Sequence, residues 1–246
     1  MAEDRVYGRN PVLELLRSGG RRTDEIAVLA GAHGPLLEVV ALARRGGVKV
    51  SFRTRDQLTA MAGSPQHQGV VARVASAEYV DLESLLPIPR ERGEVPFFMA
   101  LDQVQDPRNL GAICRSAEAV GAAGIVIPAR RSANVTPAAA KASAGAVEHL
   151  PVARTRNLAD WLANAKRAGA WVYGARADAP TRYDAVDLRE RTVIVLGGEG
   201  KGIRPRVTAA CDALVSIPQA GRLESLNVGA AAAVLLFEAA RQRRAD

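Results

Sequence analysis

Cysteine and histidine are scarce in this chain: Cys114 and Cys211, then His33, His67 and His149, across 246 residues. The two cysteines stand alone with no CxxC spacing, which excludes a disulfide framework and a cysteine-based metal centre and suits a reducing cytoplasm. The histidines are as scattered, so neither a zinc signature nor a serine–histidine pair can be assembled from spacing, and no metal is expected. Long apolar runs are missing too. The longest, Val228 to Phe237, is about half of the ~20 residues a membrane-crossing helix needs. The start, MAEDRVYGRN, is charged from its third residue and lacks an apolar segment, so no secretory signal is expected. Lysine is rare, with Lys49, Lys141, Lys166 and Lys201 the only four among 33 basic residues.

What is present is core-forming residue and positive charge. Hydrophobic residues make up 48% of the chain, enough for one large domain or two ordinary ones. The formal charge is +7, which favours a polyanionic partner through counterion release. Residues 1–76 carry 11 basic and 7 acidic side chains, residues 77–94 carry 2 and 5, and residues 95–246 carry 20 and 14. An acidic stretch thus separates two basic bodies.

Periodicity divides the chain at the same places. In residues 1–76 a helix opening at Asn10-Pro11 precedes a strand over 25–30, a helix over 36–45, a strand over 48–53, a helix over 56–62 and a strand over 69–75. Residues 77–94 hold two prolines and seven charges and read as a linker with one helical turn near Leu82 to Leu86. From Val95 strands and helices alternate, which predicts a mostly parallel sheet covered on both faces. Strands are expected at 97–104, 124–127, 150–153, 170–174, 192–196 and 214–217. Helices are expected at 107–120, 137–147, 157–168, 204–212 and 225–241.

Three stretches carry chemistry. In DPRNLGAICR, Asp106 can cap a helix with Pro107 at its first position, leaving Asn109 in the first turn, where free N–H groups attract anions. Arg115 follows Gly111 by four residues on one helix face. The segment therefore reads either as an ordinary capped helix with a surface arginine or as a holder of phosphate or ribose approached past the glycine. The second stretch, LGGEGKG from Leu196, is no P-loop, because Gly202 follows Lys201 and Val195 occupies the upstream glycine position; Ile203 also defeats a dinucleotide fingerprint. A looser glycine triplet of Rossmann-like methyltransferases and a plain glycine turn both fit it. The third, SIPQAGRLESLN from Ser216, runs straight into the last helix.

Taken in order, Asn109-x-Gly111-x3-Arg115, then Leu196-Gly197-x-Glu199-x2-Lys201-Gly202, then Ile217-Pro218-x2-Gly221-x3-Ser225-Leu226-Asn227-Val228, resemble the three motifs of the SPOUT class of RNA ribose methyltransferases, SpoU branch. Tyr7-Gly8-Arg9-Asn10-Pro11-Val12 and His67-Gln68-Gly69-Val70 likewise resemble the ribosomal-protein-like RNA-binding domain that many of these enzymes carry in front. The resemblance covers essentially the whole chain. It implies an RNA substrate-binding domain over 1–76, a linker over 77–94 and a catalytic α/β domain over 95–246 whose C-terminal segment forms a deep trefoil knot. It further implies a homodimer packed through the knot, with the active site near the subunit interface.

By the same resemblance the cofactor is S-adenosylmethionine, held by Gly174, Gly197, Gly198, Ile217, Pro218 and Leu226, the glycines letting backbone approach it. The reaction is methylation of a ribose 2′-hydroxyl, nearest to that of the bacterial enzymes acting on a guanosine in the peptidyl-tRNA-binding loop of 23S ribosomal RNA. Asn109 orients the ribose, Glu199 holds Arg115 or its partner, and Ser225 with Asn227 shapes the floor. Arg115 is the residue nearest the reacting oxygen. A guanidinium holds its proton so firmly that electrostatic stabilisation of the alkoxide is the better role for it than base. Arg108, Arg130, Arg131, Arg204 and Arg206 flank these stretches and are expected to grip RNA. A transfer-RNA ribose methylase of the same branch and a non-catalytic RNA-binding or assembly protein are the alternatives. One position departs from the family pattern: Gly229 stands where serine is usual.

Overall fold

A computed structural model of the chain describes residues 3–85, 95–222 and 225–244. Two sheets organise them. The first has four strands in the order β1-β4-β2-β3, with β1 Glu3–Tyr7, β2 Thr23–Leu29, β3 Lys49–Arg53 and β4 Val70–Ala75. Helices α1 Arg9–Ser18 and α2 Pro35–Arg45 bury their apolar sides against Ile26, Val28, Val70, Ala72 and Val74. On the opposite face α3 Arg55–Ala62 sets Leu58 against Ala27 and Val71, its start fixed by a capping box between Thr54 and Gln57. The sequence pattern omits β1. EDRVY is largely charged, but its pairing with β4 buries Val6, and the tertiary contact overrides local propensity.

The second sheet has seven strands, all parallel, in the order β7-β6-β5-β10-β8-β11-β9. They are β5 Phe97–Asp102, β6 Gly124–Pro128, β7 Val152–Thr155, β8 Trp171–Ala175, β9 Thr181–Arg182, β10 Thr192–Gly197 and β11 Ala213–Ser216. Side chains alternate between two cores, as a strand's period of two requires. Met99, Leu101, Ile194 and Leu196 face α5 Pro107–Ala119 and α9 Val228–Arg243, whereas Phe98, Ala100, Val193 and Val195 face α7 Leu158–Arg167 and α8 Pro205–Thr208. A parallel sheet covered on both faces is the expected fold class. The two-residue strand β9 carries no pattern to read and was not anticipated.

Several expected boundaries move for local reasons. The helix anticipated over 137–147 ends as α6 Pro137–Ala142, because Ala144 and Gly145 take left-handed backbone angles (φ 54° and 99°) before a 3-10 turn over Ala146–Glu148. The closing helix begins at Val228 and not Ser225, because Asn227 is its cap. In the stretch read as linker, Val80 bridges to Ala153, and α4 Leu82–Leu85 drives Leu85 into the large core, next to Val126 and Leu158. The rest of that stretch, 86–94, lies outside the described residues. The two sheets meet through α6 and the 3-10 turn: Ala140 joins the core of the small sheet, and Arg21 pairs with the almost fully buried Glu148 at 3.0 Å.

Candidate active site

Neighbouring parallel strands end side by side, so the loops after β5, β10 and β11 gather at one edge of the large sheet, the edge where open α/β folds bind ligands. Asp106 caps α5, accepting from the Arg108 N–H at 2.8 Å, and that start sets Asn109 in the first turn. Asn227 caps α9, its Oδ1 accepting from the N–H groups of Gly229 (2.9 Å) and Ala230 (3.4 Å). Since helix donors occupy that oxygen, the Asn227 Nδ2 faces the other way and donates to Asn109 Oδ1 and Glu199 Oε1, each at 3.1 Å. Asn109 Nδ2 donates to the same Glu199 oxygen at 2.8 Å. The three motifs are thereby tied into one closed triangle of side chains. Both Asn227 protons are used, leaving one N–H of Asn109 and the second oxygen of Glu199 open. A donor beside an acceptor is the complement of a hydroxyl group.

Glycines 197 and 198 make the triangle possible. A side chain on Gly197 would come 2.0 Å from the Gly202 carbonyl carbon, and one on Gly198 would come 2.3 Å from Gln103 O. The close approach they permit is of backbone to backbone: the loop after β10 folds onto itself and onto the loop after β5, where the Gly198 N–H donates to Asp102 O at 2.8 Å. Gly174, by contrast, is enclosed by Leu214, Cys211 and Ile203 inside the fold. Gly111 is enclosed as well. Its missing side chain admits the Ala139 carbonyl of α6, so nothing approaches Asn109 past that glycine.

Asp102 was not anticipated, although a carboxylate ending the apolar strand FFMALD is a signal that could have found it. It is fully buried and accepts from the backbone N–H and from Nε of Arg204, both at 2.8 Å. The pair pins the far end of the loop that carries Glu199. Of the five arginines expected to grip RNA, Arg204 is therefore engaged by Asp102 and Arg108 lies 3.6 Å from Asp106, whereas Arg130, Arg131 and Arg206 are exposed.

The remaining expected residues lie around the triangle. Ser225 and Leu226 are exposed beside Asn227, Pro218 is exposed, and Ile217 is partly buried against the core. Residues 217–222 make no hydrogen bond among the described residues. Arg115 is not brought to the triangle. Six residues beyond Asn109, it sits on another face of α5 and lines a groove of about 1520 Å³ together with Glu14, Arg17, His149 and Arg243. Glu199 accordingly holds the two asparagines and not Arg115. Burial pushes the Cys114 thiol up to about 12 and Cys211 up to about 11, so neither is a nucleophile. No group of metal-ligating side chains occurs among the described residues.

Known proteins share this plan. The family model described as "SpoU rRNA Methylase family" matches residues 96–237, and one described as "RNA 2'-O ribose methyltransferase substrate binding" matches residues 5–80. A Bacillus subtilis protein whose name places it in the TrmH family of tRNA/rRNA methyltransferases is 42% identical over 240 residues, 98% of this chain and 96% of its own length. A 23S rRNA (guanosine-2'-O-)-methyltransferase of Xanthomonas campestris is 41% identical over 242 residues, 97% of this chain and 96% of its own. Among solved structures, a SpoU methyltransferase of Streptomyces viridochromogenes in complex with AdoMet superimposes with a TM-score of 0.82 at 27% identity, covering 99% of this chain and 92% of that one.

Proposed function

This chain belongs to the SpoU rRNA methylase family, and from that premise we propose that it methylates a ribose 2′-hydroxyl of RNA, using S-adenosylmethionine, with a guanosine of 23S ribosomal RNA as the target. The observation that carries the reading is the triangle of Asn109, Glu199 and Asn227, whose one open donor and one open acceptor match a ribose hydroxyl. The relative named for guanosine 2′-O-methylation of 23S rRNA supports the choice of nucleotide.

The residues present fit the cofactor. Ile217 and the exposed Leu226 offer apolar walls, and the backbone groups of 217–222, bonded to nothing else among the described residues, offer donors and acceptors for a purine edge. Gly197, Gly198 and Pro218 border that site, whereas Gly174, enclosed within the fold, supports it from behind. When bound, S-adenosylmethionine supplies an electrophilic methyl group. The chain's own work is positional and electrostatic. Asn109 and Glu199 orient the ribose so that its 2′-oxygen points along one line of attack, and Ser225 borders the floor beside Asn227. The Arg115 guanidinium stabilises the negative charge that develops on that oxygen.

Because Arg115 does not reach the triangle of its own chain, it acts in a homodimer, on the site of the second subunit. A strip on α9 supports the dimer: Ala230 and Phe237 are exposed, and Ala233 and Val234 are partly so, forming an apolar face left open among the described residues. β8 and β10 lie between β11 and β5 in the sheet, yet Asn227, eleven residues beyond β11, bonds to Asn109 at the start of α5, and this crossing supports the knotted topology. Residues 1–76 are the RNA-binding domain, 77–94 the linker and 95–246 the catalytic domain of a cytoplasmic enzyme. The test is transfer of labelled methyl groups to 23S RNA fragments, one carrying 2′-deoxyribose at the target. Undiminished labelling of the deoxy fragment would refute ribose methylation.

A further inference from the structure

We propose that Arg9, Arg55 and Lys141, brought together around the His67–Gln68 corner where the small sheet meets α6, form a binding site for a phosphodiester of the substrate RNA. The proposal rests on the reading that this chain acts on RNA, and it names a contact surface away from the Asn109 triangle.

Lys141 Nζ donates to Gln68 Oε1 at 2.7 Å, and the same oxygen accepts from the Arg9 backbone N–H at 3.1 Å. That neutral amide oxygen is the hydrogen-bond acceptor the Lys141 ammonium has. None of the three cations forms an ion pair with a carboxylate among the described residues. Surface arginines without partners are ordinary, because water solvates them. Lys141 differs. It is partly buried, and burial first, then the nearby Arg9 charge, hold its ammonium below the usual lysine range.

His67 does not relieve this crowding. It is buried, and its Nδ1 accepts from the Gly69 N–H at 3.0 Å, so a single proton sits on Nε2, facing Thr59 Oγ1 at 3.3 Å. Burial, then Arg55 and Lys141, hold it below the usual histidine range, in the neutral form.

The backbone at this corner is strained in support of the cluster. Gln68 adopts φ 54°, a region that non-glycine residues rarely occupy, and its side-chain oxygen meets the Lys141 ammonium and the Arg9 backbone N–H. Gly8 has a positive φ of 98°, which favours glycine, and the missing side chain leaves room for Lys141 Nζ, which a Cβ there would meet at 2.3 Å. A desolvated cation without a counter-charge is costly. A phosphodiester supplies the missing charge, and three cations on separate elements suit a backbone group that reads no base. These are the Tyr7-Gly8-Arg9 and His67-Gln68-Gly69 stretches that the triangle leaves unused.

The experiment measures binding of a labelled 23S RNA fragment to the full chain across a potassium chloride series. Each lost phosphate contact lowers the salt slope by about one. The double variant R9Q/K141M is expected to lose about two, equally for a scrambled RNA of the same length, with calorimetric binding of S-adenosylmethionine unchanged. R55Q, which leaves the Lys141–Gln68 contact intact, is expected to lose about one, and K141R to keep the full slope. A purely structural role for Lys141 would lower the melting temperature and leave the slopes alone, and that result overturns the site. Unchanged slopes in both R9Q/K141M and R55Q overturn it too. A wild-type chain that binds no RNA sinks the RNA reading itself.

Discussion

Asp102 and Arg204 face each other across 102 residues of sequence, the carboxylate wholly buried and the arginine side chain 44% exposed, with 2.6 Å between Arg204 Nη2 and Asp102 Oδ1. This contact ties the end of β5 to the loop carrying Glu199, so it sets the geometry of the triangle from beneath. Removing the arginine side chain leaves a buried carboxylate whose remaining partner among the described residues is the backbone N–H at position 204. Removing the carboxylate charge leaves an arginine that water can reach. Arg204→Met is therefore expected to destabilise by about 3 kcal/mol and Asp102→Asn by about 1–2 kcal/mol. Urea unfolding checks this through a lowered midpoint at unchanged slope; equal losses in the two variants would contradict it.

Within the triangle, Asn109→Asp sets a carboxylate against Glu199, and Glu199→Gln removes the shared charged acceptor. Each is expected to lower kcat by about 10²–10³, the size of effect seen when one oriented transition-state contact is lost, with S-adenosylmethionine affinity little changed. Single-turnover kinetics beside calorimetry separates the two quantities. A loss confined to cofactor affinity would move these residues out of the ribose site.

For Arg115 the pH profile decides its chemistry. Arg115→Lys is expected to retain part of the activity with the same pH dependence, because a lysine also supplies positive charge. A profile that moves with the substitution would make Arg115 a true base. A second measurement concerns its location. Mixing and refolding inactive Asn109→Ala with inactive Arg115→Ala chains should restore activity, since one site of each mixed dimer would be intact. No recovery would mean that both residues serve the same subunit.

Dimerisation has its own variant. Phe237 is 51% exposed on the apolar strip of α9, and Phe237→Glu adds a charge there without touching the core. Sedimentation is expected to show monomers, with methyl transfer lost and the melting curve of the single chain retained. A dimer that survives the change would relocate the interface.

Two buried carboxylates should respond oppositely to acid. Glu238 is held below the usual carboxylate range by Arg241 first and also by Gln242, at 2.8 Å each. With a depressed folded value, its stabilisation is complete above the unfolded pKa, near 4.5, and is lost as pH falls through the folded one. Glu148 is shifted upward, by burial outweighing Arg21. Its contribution is complete below about pH 4.5 and declines as pH rises through the folded value. Glu238→Gln should thus flatten the acid limb of stability, whereas Glu148→Gln should gain relative stability towards neutral pH. Chemical unfolding between pH 3 and 7 reads both.

Much of the fold was legible because its signals are local. Phe97 to Asp102 and Thr192 to Gly197 are runs of apolar residues that only a sheet covered on both faces can bury, and the Asp106–Pro107 start of α5 is written in two adjacent residues. β1 was not legible, because Val6 is the single fully apolar cue in EDRVY and its burial depends on β4, more than sixty residues away. The motif residues were legible as candidates through their order and spacing. Their contacts were not: Asn109, Glu199 and Asn227 stand 90, 28 and 118 residues apart in pairs.

The sequence by itself determined which residue types are available and where helices start and stop, and its motif order and spacing grouped Asn109, Arg115, Glu199 and Asn227 as candidates. Tertiary structure alone decided which of them meet. Parallel strands align their C-terminal ends, so three distant loops converge on one edge and close the triangle. Helical rotation carries Arg115 round to another face of α5. Sequence spacing records distance along the chain, whereas the charge and hydrogen bonds of a site depend on direction in space, and packing against α6, α9 and the neighbouring strands sets that direction.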